Sequence, residues 1–341
     1  MPEGDTVWQT AKRLHTALAG NVLTRSDLRV PKYATADLTG RTVLDVTPRG
    51  KHLLTRIEGG LTLHSHLRMD GTWRVYANGQ RWSGGGPAHQ IRVILGTADR
   101  TAVGYRLPVL ELIRTTEEHR AVGHLGPDLL GPDWNPELAL ANLLADPARP
   151  LGEALLDQRN LAGIGNIYKS ELCFLLGATP WLPIGALPAD RAAKLPAIAK
   201  RLLEANRDRP VRNTTNTLTT NTPNPNRTPT PGTPFPNRTP DHRTPDARTS
   251  APGTPAHPAP PSRTRTTAPG PPPLHPPHPH TPDLFVYGRA PRPCLRCNSP
   301  LRTANQGDGS RDRPTYWCPT CQVGPAPGTT TPPRTQHRTT N

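Results

Sequence analysis

The sequence predicts an α+β chain of several domains: a β-sandwich headed by one helix, then an all-helical region, then a small C-terminal hairpin held by cysteines. Three observations carry this. Apolar residues fall at helical spacing over 5–19, switch to short alternating or apolar runs broken by glycine from about 21 to 106, and return to helical spacing from 136. A stretch from about 213 to 282 is almost entirely Thr, Pro, Asn, Arg and His, too poor in large apolar side chains to offset the entropy of ordering. Two Cys-x-x-Cys pairs, Cys294/Cys297 and Cys318/Cys321, lie near the end. With only 33% hydrophobic residues and 45 prolines among 341, part of the chain has no core to join.

The elements follow in order. Val7, Ala11, Leu14 and Leu18 share one face of a helix that Asp5 is placed to cap and Gly20 to close. The runs 42–46, 52–57, 61–67 and 91–95 read as strands of the sandwich. Helical periodicity then occupies 136–145, 151–158, 166–176 and 189–206, with Pro and Gly between, so the chain changes class near residue 131. The predicted domains are 1–131, 132–212, a disordered Pro/Thr-rich insertion at 213–282, a metal-stapled finger at 283–322 and a disordered tail at 323–341.

A formal net charge of +15 calls for a polyanionic partner, either nucleic acid or an anionic membrane surface. No apolar run approaches the ~18–20 residues that span a bilayer, and the acidic start lacks the layout of a signal peptide. The expectation is a cytoplasmic protein, where four paired cysteines point to metal rather than to disulfides.

The chain starts Met1-Pro-Glu-Gly4. Once methionine is removed, Pro2 offers a secondary amine, which can attack a sugar carbon and leave a cationic iminium, with the Glu3 carboxylate beside it. The spacing Cys294-x-x-Cys297, twenty residues, Cys318-x-x-Cys321 fits a tetrahedral structural zinc site of four thiolates with no position open for water; the competing reading is a pair of redox dithiols. Cys173, within an apolar helical run, reads as an inert core residue. In Leu161-Ala-Gly-Ile-Gly-Asn-Ile-Tyr168 a glycine-punctuated turn leads into a helix at Asn166: either its free amides take a phosphate, or the glycines serve packing alone. Lys51, at the end of Pro48-Arg-Gly-Lys51, is a turn cation that is functional or simply solvated. Leu67-Arg-Met-Asp-Gly71 is a plain hairpin tip or a wedge, through Arg68 and Met69, of the kind inserted beside an extruded nucleotide.

Taken together, Met1-Pro-Glu-Gly4, Gly50-Lys-His-Leu-Leu54, the helix pair around Asn166, Val286-Tyr-Gly-Arg289 and Thr315-Tyr-Trp-Cys-Pro-Thr-Cys-Gln322 resemble the formamidopyrimidine-DNA glycosylase and endonuclease VIII family of base-excision repair enzymes. Gly4-Asp-Thr-Val7 is closer to the endonuclease VIII branch; the other branch favours a Pro-Glu-Leu-Pro start. The resemblance implies a helix-two-turn-helix domain and a zinc finger, and a monomeric enzyme acting on damaged double-stranded DNA. It implies Pro2 as Schiff-base nucleophile, Glu3 as proton donor, Lys51 and Arg313 at the lesion's sugar and phosphates, and Asn166 clamping a flanking phosphate. One zinc ion would sit on Cys294, Cys297, Cys318 and Cys321. The implied activity is excision of oxidised bases, pyrimidines before purines, followed by β,δ-elimination. The family pattern lacks an insertion like 213–282, and an acidic residue, Asp312, precedes Arg313 here.

Two other classes compete. A non-catalytic reader of damaged DNA would need the charge, the helix pair and the finger, but neither Pro2 nor Glu3. A zinc-ribbon component of transcription machinery leaves the N-terminal motif unexplained.

Overall fold

The computed structural model describes residues 2–217, 283–307 and 312–327. Helix α1 (Gly4–Leu18) buries Val7, Ala11, Leu14 and Leu18 against the sandwich, as its spacing predicts. Asp5 is not its cap: Glu3 holds that position and makes no side-chain bond to its own helix.

The strands are β1 (Arg25–Leu28), β2 (Val43–Arg49), β3 (His52–Ile57), β4 (Leu61–His66), β5 (Thr72–Ala77), β6 (Ile91–Gly96), β7 (Arg100–Tyr105) and β8 (Val109–Arg114). They form two antiparallel sheets, ordered β2-β3-β4-β8 and β1-β6-β7-β5. Leu53, Ile57 and Leu63 enter the shared core. Side chains alternate along a strand, so His52, Arg56 and His64 fall on the sheet's other face.

Short helix α2 (Glu118–Val122) leads to the helical region of α3 (Pro136–Leu144), α4 (Leu151–Leu156), α5 (Asn166–Leu175) and α6 (Ala189–Asn206). Asn135 caps α3 by accepting from the Leu138 amide at 2.8 Å, with Pro136 set at the first turn where its missing N–H costs nothing. A second core of Leu143, Leu155, Tyr168, Leu172, Leu195 and Leu203 joins these helices. The finger hairpin, β9 (Arg302–Gln306) with β10 (Arg313–Trp317), has a small core of its own where Val286, Leu301, Cys294 and Cys318 meet Phe174 of α5.

Both low-complexity segments start later than the composition suggests. Asn213 bridges to Asp283, its backbone N–H donates to Asn206 Oδ1 at 2.7 Å, and Thr214 is fully buried. Residues 213–217 therefore belong to the fold, because polar side chains satisfy their backbone where apolar ones are lacking; the rest of the predicted insertion, 218–282, lies outside the described residues. At the other end Val323 bridges to Ala178, and the Pro325 carbonyl accepts from Thr179 Oγ1 at 2.9 Å. The predicted tail beyond 327 is likewise outside. Among the described residues no helix is long and apolar enough to cross a membrane.

Candidate active site and metal centre

Three segments far apart in sequence meet at the turn between α4 and α5. Glu3 is fully buried, and its carboxylate accepts the amides of Gly165 (2.9 Å), Ile167 (2.7 Å) and Tyr168 (3.2 Å). These are the N–H groups that an α-helix leaves without internal partners at its start. The sequence leaves them free for a phosphate; the structure gives them to Glu3. The approach requires glycine at 165, since a Cβ there would lie 2.5 Å from the Glu3 carboxyl carbon. Gly4 adds a second anchor by donating its N–H to Gly163 O at 2.9 Å. The partly exposed Pro2 is thereby fixed one residue before a carboxylate that cannot swing away.

The β2–β3 turn presses on the same place. Gly50 adopts a positive φ of 57° and donates its N–H to the Asp128 carboxylate at 2.7 Å. A Cβ at 50 would stand 3.0 Å from Ala162. Lys51 follows, and burial lowers its pKa to about 8, with Arg313 and Arg212 reinforcing the shift and Glu3 opposing it.

Lys51, Asn166 and Arg313 line one cleft of about 620 Å³, which His124, Arg149 and Arg159 help enclose. Asn166 comes from the first turn of α5; its Nδ2 donates to Pro314 O at 2.6 Å, and its buried Oδ1 has no partner among the described residues. Arg313 opens β10, exposed, with Nη1 3.9 Å from the sulfur of Met69. The 67–71 loop is thus brought to the rim, where Met69 is 53% exposed and Arg68 takes a left-handed φ of 46°. Of the residues singled out from the sequence, Lys51, Asn166 and Arg313 line this cleft, Glu3 touches it through its bond to Gly165, and Met69 meets it through Arg313.

Three buried charges have no counterpart among the sequence motifs. Asp5 accepts from Arg212 Nε at 2.5 Å and from the Tyr168 hydroxyl at 2.8 Å, tying α1 to α5 and to the segment that follows α6. Lys169 on α5 is wholly enclosed and donates to Thr315 Oγ1; burial brings its pKa to about 8, against the pull of Cys173 and Glu3. Glu171 accepts the amides of Phe285 (2.8 Å), Val286 and Tyr287 (both 2.9 Å) and the Thr214 hydroxyl (2.5 Å). A signal existed: Lys169 and Glu171 are charges one turn from the apolar run 172–176.

The four finger cysteines place their sulfurs within 4.8 Å of one another, with Cys294–Cys321 at 3.9 Å and Cys297–Cys318 at 3.4 Å. A tetrahedral ion with bonds of about 2.3 Å to sulfur sets its ligands about 3.8 Å apart, so the donor set fits a metal ion of that kind. The Arg296 and Cys321 amides donate to Cys294 and Cys318 sulfurs at 3.4 Å, as expected of thiolates. Cys173 stands apart in the helical core, where burial pushes its thiol up to about 12.

The sequence model of the formamidopyrimidine-DNA glycosylase N-terminal domain matches residues 1–106. A probable endonuclease 8 2 of Streptomyces coelicolor is 67% identical over 327 residues, which is 96% of each protein. The DNA-(apurinic or apyrimidinic site) lyase Nei2 of Mycolicibacterium smegmatis is 40% identical across 95% of this chain and 99% of its own length. Among solved structures, Fpg (MutM) of Lactococcus lactis in complex with DNA containing N7-benzyl-Fapy-dG shares the fold, with a TM-score of 0.65 and 19% identity over 95% of this chain and all of that one.

Proposed function

The chain belongs to the formamidopyrimidine-DNA glycosylase and endonuclease VIII family, on its endonuclease VIII branch, and on that premise we propose a bifunctional DNA glycosylase and abasic-site lyase that removes oxidised bases, pyrimidines in preference to purines. The observation that carries this is the anchoring of Pro2 and Glu3 on the turn that presents Asn166 to one basic cleft, which Lys51 enters from the β2–β3 turn. A DNA reader has no use for a buried carboxylate beside a secondary amine.

In this reading the Pro2 nitrogen attacks C1′ of the damaged nucleotide, the C1′–N bond breaks, and the base leaves with a proton. The nitrogen lone pair then breaks the C1′–O4′ bond, O4′ takes a proton from Glu3 as the sugar ring opens, and C1′ is held as an iminium. That cation acidifies C2′–H; loss of this proton expels the 3′ phosphate, and a second elimination expels the 5′ phosphate. Water finally releases the sugar remnant and frees Pro2. An α-amino group has a pKa of about 7.7–8, so Pro2 needs no large shift to supply free amine at neutral pH.

Glu3 is the proton carrier of this scheme. Its Oε1 receives one amide and retains a lone pair toward the sugar, while Oε2 carries the other two amides. Lys51 and Arg313 hold the lesion's phosphates and sugar, Asn166 a flanking phosphate, and Arg68 with Met69 fills the gap left by the extruded nucleotide. The cysteine tetrad holds one zinc ion, which supplies folding energy to the hairpin that carries Arg313. The partner is damaged duplex DNA, the chain acts as a monomer, and its place is the cytoplasm, on the nucleoid.

Borohydride added during incubation with a duplex bearing dihydrouracil or an abasic site is expected to trap a covalent protein–DNA adduct. Replacement of Pro2 by glycine should reduce trapping, and acetylation of the N-terminus should abolish it. No adduct from the zinc-loaded, methionine-processed protein would favour the reader.

A further inference from the structure

The outer face of the first sheet carries a string of imidazoles that the scheme above does not use. Glu111 of β8 stands 3.0 Å from His64 Nδ1, and His64 Nε2 stands 2.8 Å from His52 Nδ1, the two rings within 17° of coplanar. His64 is only 3% exposed. His52 faces its cross-strand partner His66 edge-on at 4.7 Å, and His66 Nδ1 accepts the backbone N–H of Arg68 at 2.9 Å. The string therefore runs from a surface carboxylate to the left-handed residue at the tip of the 67–71 loop.

The chemistry of the ends assigns the protons. A carboxylate only accepts, so His64 carries its proton on Nδ1 and, when neutral, offers a lone pair at Nε2. His52 must then donate from Nδ1 and keep a lone pair at Nε2. From the other end, a backbone N–H only donates, so neutral His66 carries its proton on Nε2. Other charges around the string are Lys51 and His124 beside His52, Lys51 and Arg68 beside His66, and Glu118 near His64. Burial, followed by these neighbours, drives His52 down to about 3 and His66 to about 4, so both stay neutral wherever the protein works.

We propose that Glu111, His64 and His52 are positioning residues: they fix the His66 ring and, through its bond to the Arg68 amide, the bend that aims Arg68 and Met69 at the duplex. This rests on the glycosylase reading, but the tautomers can be read without it. Nitrogen-15 NMR of the zinc-loaded full chain should show protonated Nδ1 and bare Nε2 on His52, and the reverse on His66. The opposite pattern overturns the proposal whatever the activity.

The functional arm compares a paired lesion in duplex DNA, which needs the wedge, with a single-stranded abasic oligonucleotide, which does not. His64→Leu and Glu111→Leu should slow single-turnover excision from the duplex by about tenfold while changing single-strand nicking by less than about twofold, since misplacement by a fraction of an ångström is costly only where geometry is demanded. Glu111→Gln keeps an acceptor for His64 and should restore the duplex rate. Equal losses on both DNAs, or no rescue by glutamine, would show a merely structural role. A wild-type chain inert on both DNAs sinks the catalytic reading while the NMR arm still decides the tautomers.

Discussion

Helix α5 is held twice in the same way for different purposes. At its start Glu3 reaches in from another segment and collects three backbone amides; at mid-helix Glu171 reaches out and collects three more at 285–287. Both carboxylates are fully buried. The first follows Pro2 and bonds Gly165 on the cleft wall, the second sits beside Phe174 and the base of the finger. A carboxylate with a fan of amides is therefore not in itself a mark of chemistry. What distinguishes Glu3 is its neighbour at position 2 and the cleft lined by its partner Gly165.

The sharpest way to break this contrast is to make the same change at both carboxylates. Glu3→Gln should lower turnover by about 10²–10⁴, the usual worth of a positioned proton carrier, because the amide cannot relay a proton. The melting temperature should fall too, since the new NH₂ faces amides that also donate. Glu171→Gln should cost stability with folded-state activity largely kept. Single-turnover rates corrected for the folded fraction separate the two; equal rate losses would erase the distinction.

Next in size is Glu171→Ala, which leaves three amides and Thr214 without their acceptor. Charged hydrogen bonds are worth about 1.5–3 kcal/mol each and buried partners are costly to strand, so a loss of about 3 kcal/mol is expected in urea titration, with the finger detaching first. The Trp317 ring, edge-on to Trp181 at 4.8 Å, gives a fluorescence handle on that step. Removing metal with a chelator attacks the finger from its other end. It should abolish tight DNA binding by freeing Arg313 while the sandwich keeps its circular dichroism; an unchanged affinity would mean that the cysteines do not set Arg313.

Much of the fold and of the cleft is legible in the amino-acid sequence. The N-terminal Pro-Glu, the Gly-Lys turn, the glycine-rich helix entry and the cysteine spacing are short motifs with fixed local geometry, and all but the last come together at one cleft. Illegible are contacts between segments. Nothing in the sequence says that Glu3 and not a phosphate takes the α5 amides, since any anion satisfies them. Nor does a Thr/Asn-rich run such as 213–217 advertise that Asn206, Glu171 and Asp283 will satisfy it. The histidine string is hidden for the same reason: alternation places His52 and His64 on one face, but only the register of β3 and β4 joins them.

The pH dependence sharpens the cleft side alone. Pro2 must lose a proton, so the rate should rise through about 7.7–8. Lys51 must keep one to hold a phosphate and loses it above about 8. The two limbs overlap, giving a narrow bell. Lys51→Arg, which stays charged throughout, should weaken the fit modestly yet move the falling limb upward; an unmoved limb would clear Lys51 of that role.

The smallest effect is expected where the chain looks most unusual. Asn213 and Asp283 are bridged backbone to backbone, Thr215 Oγ1 donates to the Asp283 carboxylate at 2.5 Å, and Glu171 grips residues on both sides of the junction. The segment 218–282 thus departs from and returns to one point already locked by the fold. Replacing it with a few glycines leaves every contact that the described residues make at Glu3, Lys51, Asn166 and Arg313 in place, and shortening a loop changes its closure entropy only logarithmically. Nicking of a lesion duplex should stay within about twofold and the urea midpoint should hold or rise. Complete loss of nicking in a folded deletion would show that the insertion is part of the active site, and chemistry would no longer be confined to the Glu3 side of α5.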